Sequence, residues 1–230
     1  MEKEFAQLKD LAETSGVSGR ESRIRETIKT YAQQTDFFDE IETDVLGNLI
    51  CTRRSVSQAK ARRILAVAHM DQAGFLVSHI NAEGAVRLHP VGTYDLRGLL
   101  AQPVLVENKS GELLPGTLAT ATEPIHTDPQ QVAPATLDAF YVELGLRPDD
   151  IREKVSLGDM VVFDAPFRQV GNHIVGAGLD DRIGCWALLQ AVKDISNETD
   201  ELVFAFSVQE ELGSRGATIL GSSVAPDIAI

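Results

Sequence analysis

Apolar residues recur at helical spacing at Phe5, Leu8, Leu11 and Ala12, so the pattern predicts an amphipathic helix from about Lys3 to Thr14. After the loop Ser15 to Gly19, Ser18 and Glu21 have the spacing of a capping box. Ile24, Ile28 and Tyr31 then share one face of a second predicted helix. Strands are expected from Phe38 to Val45 and from Leu49 to Thr52, with a turn at Leu46-Gly47-Asn48. Arg53 to Arg63 is polar and basic and reads as a solvated loop. Ile64-Leu65-Ala66-Val67-Ala68 is a buried strand that runs straight into His69-Met70-Asp71.

The texture changes from Gly74 to about Phe163. Short strands alternate with turn signals at Asn81-Ala82-Glu83-Gly84, Asn108-Lys109-Ser110-Gly111, Leu114-Pro115-Gly116 and Leu157-Gly158-Asp159, the pattern of a small barrel or sandwich. Thr120 to Pro134 is polar, contains proline and reads as a flexible surface loop, and a short helix is expected around Pro148 to Lys154. The α/β texture returns after Gly171. A helix runs through Ile183, Ala187, Leu188, Ala191 and Val192, and a second over Gly213 to Leu220. Between them, Leu202 to Val208 is apolar throughout, as a strand buried on both faces requires. A further strand begins near Ile228. The expected architecture is an α/β domain, residues 1–72 and 165–230, with a mixed, mostly parallel sheet flanked by helices. An all-β barrel domain, residues 73–164, is inserted into it.

The formal net charge of -13 argues against nucleic acid or an anionic membrane as partner. The start, Met1-Glu2-Lys3-Glu4-Phe5, lacks the apolar core of a signal peptide, and no run reaches membrane-spanning length. Cys51 and Cys185 lie far apart in no metal-type spacing and read as small core residues of a reducing compartment, so the cytoplasm is the expected location.

Three clusters carry the chemistry, each at a strand end or in a glycine-tight loop: His69-Met70-Asp71, Asp180-Asp181 and Glu210-Glu211. Each alone has an ordinary structural reading, as a satisfied buried histidine, an N-cap, or the acidic first turn of a helix. Together, at the strand ends of one domain where open α/β sheets bind their ligands, they point to a site. Imidazole and carboxylates are the ligand set of zinc, with manganese or cobalt as substitutes. In such a set His69 is a ligand oriented by Asp71, an aspartate can bridge two ions, and one glutamate can stay free as a general base. His79, His89, His126 and His173 have no ligand-like neighbours, and Trp186 reads as packing. No phosphate loop, serine nucleophile elbow or Cys–His pairing appears.

Ser15-Gly16-Val17-Ser18-Gly19-Arg20-Glu21, Asp44-Val45-Leu46-Gly47-Asn48, Ala68-His69-Met70-Asp71, Leu179-Asp180-Asp181-Arg182-Ile183-Gly184 and Val208-Gln209-Glu210-Glu211-Leu212-Gly213, with Arg215-Gly216-Ala217, follow one another in a specific order. In that order and spacing the chain resembles the dinuclear-metal aminopeptidases of the glutamyl-aminopeptidase and tetrahedral (TET) type, some of which carry the label endoglucanase. The resemblance implies His69 as a ligand of one metal, Asp180 as the bridging ligand and Glu211 as a ligand of the other. It also implies a cis Asp180–Asp181 peptide, Glu210 as general base and Asp71 as the residue that orients His69. The implied activity is removal of N-terminal residues from short peptides with two divalent ions, zinc or else cobalt or manganese. The inserted β-domain is implied to mediate dimerisation and homo-oligomer assembly.

Two departures accompany the resemblance. The family usually follows His-x-Asp with Glu, where this chain has Gln72. Two further ligands, an Asp at the end of the strand that opens at Asp227 and a later His, are not among the 230 residues. The chain therefore reads as a C-terminally truncated form, with activity expected to be impaired. Two other readings are a non-catalytic assembly partner that keeps the dimerisation domain, and a glycosidase in which Glu210 works with another acid.

Overall fold

The computed structural model describes residues 2–57, 61–120, 136–196 and 199–230. In chain order the elements are α1 (Glu2–Glu13), α2 (Ser22–Gln34), β1 (Glu40–Thr43), β2 (Leu49–Arg53), β3 (Arg63–His69), β4 (Gly74–Ile80), β5 (Val86–Val91), β6 (Pro103–Glu107) and β7 (Leu113–Thr120). They continue with β8 (Phe140–Glu143), α3 (Pro148–Lys154), β9 (Met160–Phe163), β10 (Arg168–Val170), β11 (His173–Val175), α4 (Leu179–Ala191), β12 (Glu201–Ser207), α5 (Arg215–Val224) and β13 (Ile228–Ala229). The chain divides into two compact units, Met1–Gln72 with Pro166–Ile230, and Ala73–Ala165.

The first unit is built on a five-stranded sheet in the order β1-β2-β12-β3-β13. The β1/β2 and β2/β12 pairings are antiparallel, and β12/β3 and β3/β13 are parallel, so the sheet is mixed. Central β12 is buried from Leu202 to Ser207, as its uninterrupted apolar run requires. Its residues alternate between two cores. Leu202, Phe204 and Phe206 join Leu49, Cys51 and Ala68 under Leu11, Ile24, Ile28, Cys185 and Leu189, contributed by α1, α2 and α4. Val203 and Ala205 join Ile50 and Leu65 under Leu220 and Val224 of α5. The result is helices on both faces of one sheet. Both cysteines are free and fully buried, and the Trp186 ring lies 5.9 Å from that of Phe5.

The second unit is a closed barrel in the order β4-β5-β8-β7-β6-β9, all pairings antiparallel, filled by residues such as Phe75, Val104, Leu118, Phe140 and Val161. Its helix α3 opens on Pro148, carries Asp149 and Asp150 in the first turn and Arg152 and Lys154 in the last, each sign placed to suit the helix dipole. The surface loop expected over Thr120 to Pro134 lies outside the described residues apart from Thr120. Among the described residues no helix is long and apolar enough to cross a membrane.

The capping box expected at Ser18 and Glu21 does not form. Glu21 is the N-cap residue of α2 but gives the helix no side-chain bond. Instead Ser18 Oγ donates to Asp71 at 2.6 Å, and Glu21 Oε1 accepts from the Gly19 and Gln209 N–H groups at 2.7 and 3.2 Å. Long-range partners have taken both side chains from the local motif.

Candidate functional site

Parallel pairing of β12 with β3 sets Ser207 opposite His69, so the C-terminal ends of both strands finish side by side. The segment after β12 turns sharply at Gln209, whose φ is 54°, and carries Glu210 and Glu211. Asp180 and Asp181 stand at the head of α4, joined by a cis peptide bond and held in non-helical conformations.

His69 is the centre of this group. Its Nδ1 lies 3.1 Å from the Asp71 main-chain oxygen and 3.6 Å from the Asp71 carboxylate. With Nδ1 turned to Asp71, Nε2 faces Asp180 Oδ1 at 3.2 Å and Glu210 Oε2 at 4.0 Å. Asp71 is fully buried and satisfied from three directions. It accepts from the Ser18 hydroxyl and from the N–H groups of Glu210 at 3.0 Å and Glu211 at 3.1 Å. Asp181 accepts from the His69 N–H at 3.3 Å and the Gly184 N–H at 3.0 Å. Glycine at 184 lets the carboxylate come this close, because a Cβ there would stand 2.3 Å from Asp181 Oδ1 and force it to shift.

The electrostatics follow from burial against partnership. Burial pulls the His69 imidazole down, but the hydrogen bond and charge of Asp71, with the charge of Asp181, outweigh it and raise the pKa to about 9. Burial would raise Asp71, yet its hydrogen bonds from His69, Ser18 and the two glutamate N–H groups hold it below the usual carboxylate value. Glu211 is pushed up by burial and by the charge of Asp71, and Asp181 by burial. Neighbouring carboxylates thus crowd the site with negative charge, which a cation or a protonated amine would relieve.

A second set of residues fixes the loops that carry this group. Asn48, fully buried, accepts from the Val208 N–H at 3.0 Å and donates to the Gly216 carbonyl at 3.2 Å and Asp44 Oδ2 at 2.7 Å. It thereby pins both ends of the turn that bears Glu210 and Glu211. Ser214 Oγ donates to Glu210 Oε1 at 3.0 Å. Arg182, also fully buried, donates to the Leu11 and Thr14 carbonyls at the end of α1 and to Gln72 Oε1 at 3.3 Å. Burial lowers its pKa to about 10. A neutral Gln72 therefore meets the guanidinium where a carboxylate would have formed an ion pair.

Of the residues expected at the site, Asp71, Asp180 and Glu210 each stand within reach of His69. Glu211 joins them through its main-chain bond to Asp71 and through the charges of His69, Glu210 and Asp180 acting on its carboxyl. Among the described residues no three His, Cys, Asp or Glu side chains close on one point in metal-holding geometry. The donor set nevertheless suits a divalent ion: an imidazole whose other nitrogen is engaged, with its free nitrogen aimed at carboxylates. His126 lies outside the described residues. Ser18, Glu21, Asn48, Arg182 and Ser214 were given no role in the site by sequence; the first four lie in the segments that carry the resemblance, and Ser214 lies in none of them.

The sequence profile of the M42 glutamyl aminopeptidase family matches residues 47–230. A putative aminopeptidase of Acetivibrio thermocellus is 32% identical over 227 residues, covering 98% of this chain and 64% of the relative. Among solved structures, the aminopeptidase from the archaeon Desulfurococcus kamchatkensis superposes with a TM-score of 0.90 at 27% identity, over 99% of this chain and 62% of that one. The TET1 peptidase of Pyrococcus horikoshii, described as able to assemble into a tetrahedron or a large octahedral shell, gives 0.85 at 33% identity, over 98% and 67%. The chain spans about 62–64% of the length of the first curated relatives it matches.

Proposed function

Because the chain belongs to the M42 glutamyl aminopeptidase family, we propose that it serves metal-dependent removal of N-terminal residues from peptides, with Glu210 as the proton carrier. The observation that supports this most is the disposition of His69. Its Nδ1 is occupied at Asp71, and its Nε2 is presented to the Asp180 and Glu210 carboxylates.

His69, Asp180 and Glu211 are the residues that would hold divalent ions, with Asp180 shared between two. Zinc, cobalt or manganese, when bound, would polarise a peptide carbonyl and acidify water. Asp71 fixes the tautomer of His69 and keeps Nε2 available. Glu210, half-exposed beside it, takes a proton from the attacking water and returns it to the departing amine. The surplus of carboxylates favours the cationic α-ammonium end of a peptide over its interior. In line with the assemblies described for the TET1 peptidase, the protein would act as a homo-oligomer, through the barrel unit, in the cytoplasm.

A second reading, which the assemblies described for the TET1 peptidase support, is a non-catalytic subunit that keeps the barrel unit and assembles with a longer homologous partner.

The test is hydrolysis of short peptides and aminoacyl anilides by the purified chain, with metal analysis and chelation. Release of N-terminal residues that stops with chelator and in Glu210→Gln is the expected result. Chelator-insensitive turnover would refute the metal dependence, and turnover surviving in Glu210→Gln would refute the role given to Glu210. A metal-free, inactive chain that co-purifies with a longer homologue would establish the second reading instead.

A further inference from the structure

We propose that Ser214 is a positioning residue for Glu210: its hydroxyl locks one carboxylate oxygen so that the other is presented to the reacting centre. The inference rests on the role given to Glu210 above.

Ser214 occupies the N-cap position of α5, where a serine ordinarily turns its oxygen to an N–H of the first helical turn. Here it makes no such bond. Its hydroxyl donates to Glu210 Oε1 at 3.0 Å, and the helix goes without a side-chain cap at this end. Ser214 is also held at φ 54°, ψ 36°, a left-handed conformation that suits glycine or asparagine better. The position therefore forgoes both of serine's usual local advantages, and what it gains is the contact with Glu210.

That contact makes the two oxygens of Glu210 unequal. Oε1 is tied to Ser214, while Oε2 stands 4.0 Å from His69 Nε2 on the side of Asp180. The Glu210 main chain is anchored independently. Its N–H donates to Asp71 Oδ1, and its carbonyl accepts from the Gly213 and Ser214 N–H groups at 2.8 and 2.9 Å. Only the side chain needs a further restraint, because at 40% exposure a glutamate otherwise samples several rotamers. A base that must meet a water in one geometry loses rate when it wanders, and a shift of about 1 Å can cost ~100-fold.

Ser214→Gly removes the hydroxyl and fits the left-handed backbone, and glycine is a tolerated N-cap, so α5 stays intact. Relative to the parent, kcat on a short peptide is expected to fall roughly tenfold with KM within about twofold, the signature of a transition-state effect. In a Glu210→Ala background the same substitution should leave the residual rate unchanged. A loss of equal size in both backgrounds would mark Ser214 as merely structural and overturn the proposal.

Crystal structures of the parent and Ser214→Gly chains test the contact without any turnover. The Glu210 carboxylate should hold one orientation in the parent and spread over several in the variant. A carboxylate that keeps its place without the hydroxyl overturns the proposal. A parent that hydrolyses no peptide defeats the aminopeptidase reading alone, and the carboxylate orientations then decide the role of Ser214.

Discussion

Replacing Asn48 by alanine should separate the loop that carries Glu210 and Glu211 from the rest of the α/β unit. The fully buried side chain makes three hydrogen bonds, to the Val208 N–H, the Gly216 carbonyl and the Asp44 carboxylate. A net contribution of about 1 kcal/mol for each neutral bond, and about 1.5 kcal/mol for the one to a charged partner, gives a loss of roughly 3.5 kcal/mol. That is a large part of the ~5–15 kcal/mol that holds a typical domain together. The chain has a single tryptophan, Trp186, and it sits on α4 of the same unit, so its emission in urea follows the unfolding of that unit. With a slope of about 2 kcal/mol per molar, the midpoint should drop by roughly 1.8 M with the slope unchanged. A drop below about 0.3 M would show that Asn48 does not hold the turn.

Three further outcomes are expected. Glu21 is buried, and burial, with the charge of Asp71, raises its carboxyl above 4.5. The folded state then binds more protons than the unfolded one, so this group withdraws stability as pH rises above 4.5. Glu21→Gln keeps an acceptor for the Gly19 and Gln209 N–H groups, and its urea midpoint should gain on the parent's as pH rises; parallel curves would contradict this. Gly184→Ala forces a Cβ to within 2.3 Å of Asp181 Oδ1 and should cost about 1–3 kcal/mol by the same fluorescence assay, with no change if Asp181 is free to swing away. Burial pushes the Cys51 thiol up to about 12 and Cys185 higher still, so neither should react with a thiol reagent at pH 8 except at the rate of unfolding. Rapid labelling of either would show that the core opens locally.

The elements whose signal was local were legible in the sequence. The apolar run of β12, the turn-separated barrel strands and α3, with its proline start and its graded charges, all carry their reasons within a few residues. Signals failed where a distant partner outbid a near one. Ser18 and Glu21 have the spacing of a capping box, but Asp71 and Gln209, 53 and 188 residues away, claim them. Asn48 read as a turn residue because nothing near it mentions Val208, 160 positions on. Ser214 was absorbed into a helix expected from Gly213, since its diverted hydroxyl leaves no mark in the periodicity. The acids and His69 stood out singly, whereas the residues that hold them in place did not.

The geometry of the site is inherited from the packing of the sheet beneath it. Phe204 and Phe206 must face the α1, α2 and α4 core while Val203 and Ala205 face α5. Because side chains alternate along a strand, slipping β12 by one residue would exchange those faces, so the two cores fix its register against β3. That register ends with Ser207 opposite His69, and the Met70 N–H still bonds to the Ser207 carbonyl at 2.8 Å. Only beyond that bond do the chains diverge. The buried Asp71 then lies within reach of the Glu210 and Glu211 N–H groups and joins the two strand ends through one carboxylate. Asp71 is thus as much a strut between strand tips as a partner of His69. Its removal would shift Glu210 and Glu211 relative to His69 even where every group proposed to bind metal or carry a proton remained in the sequence.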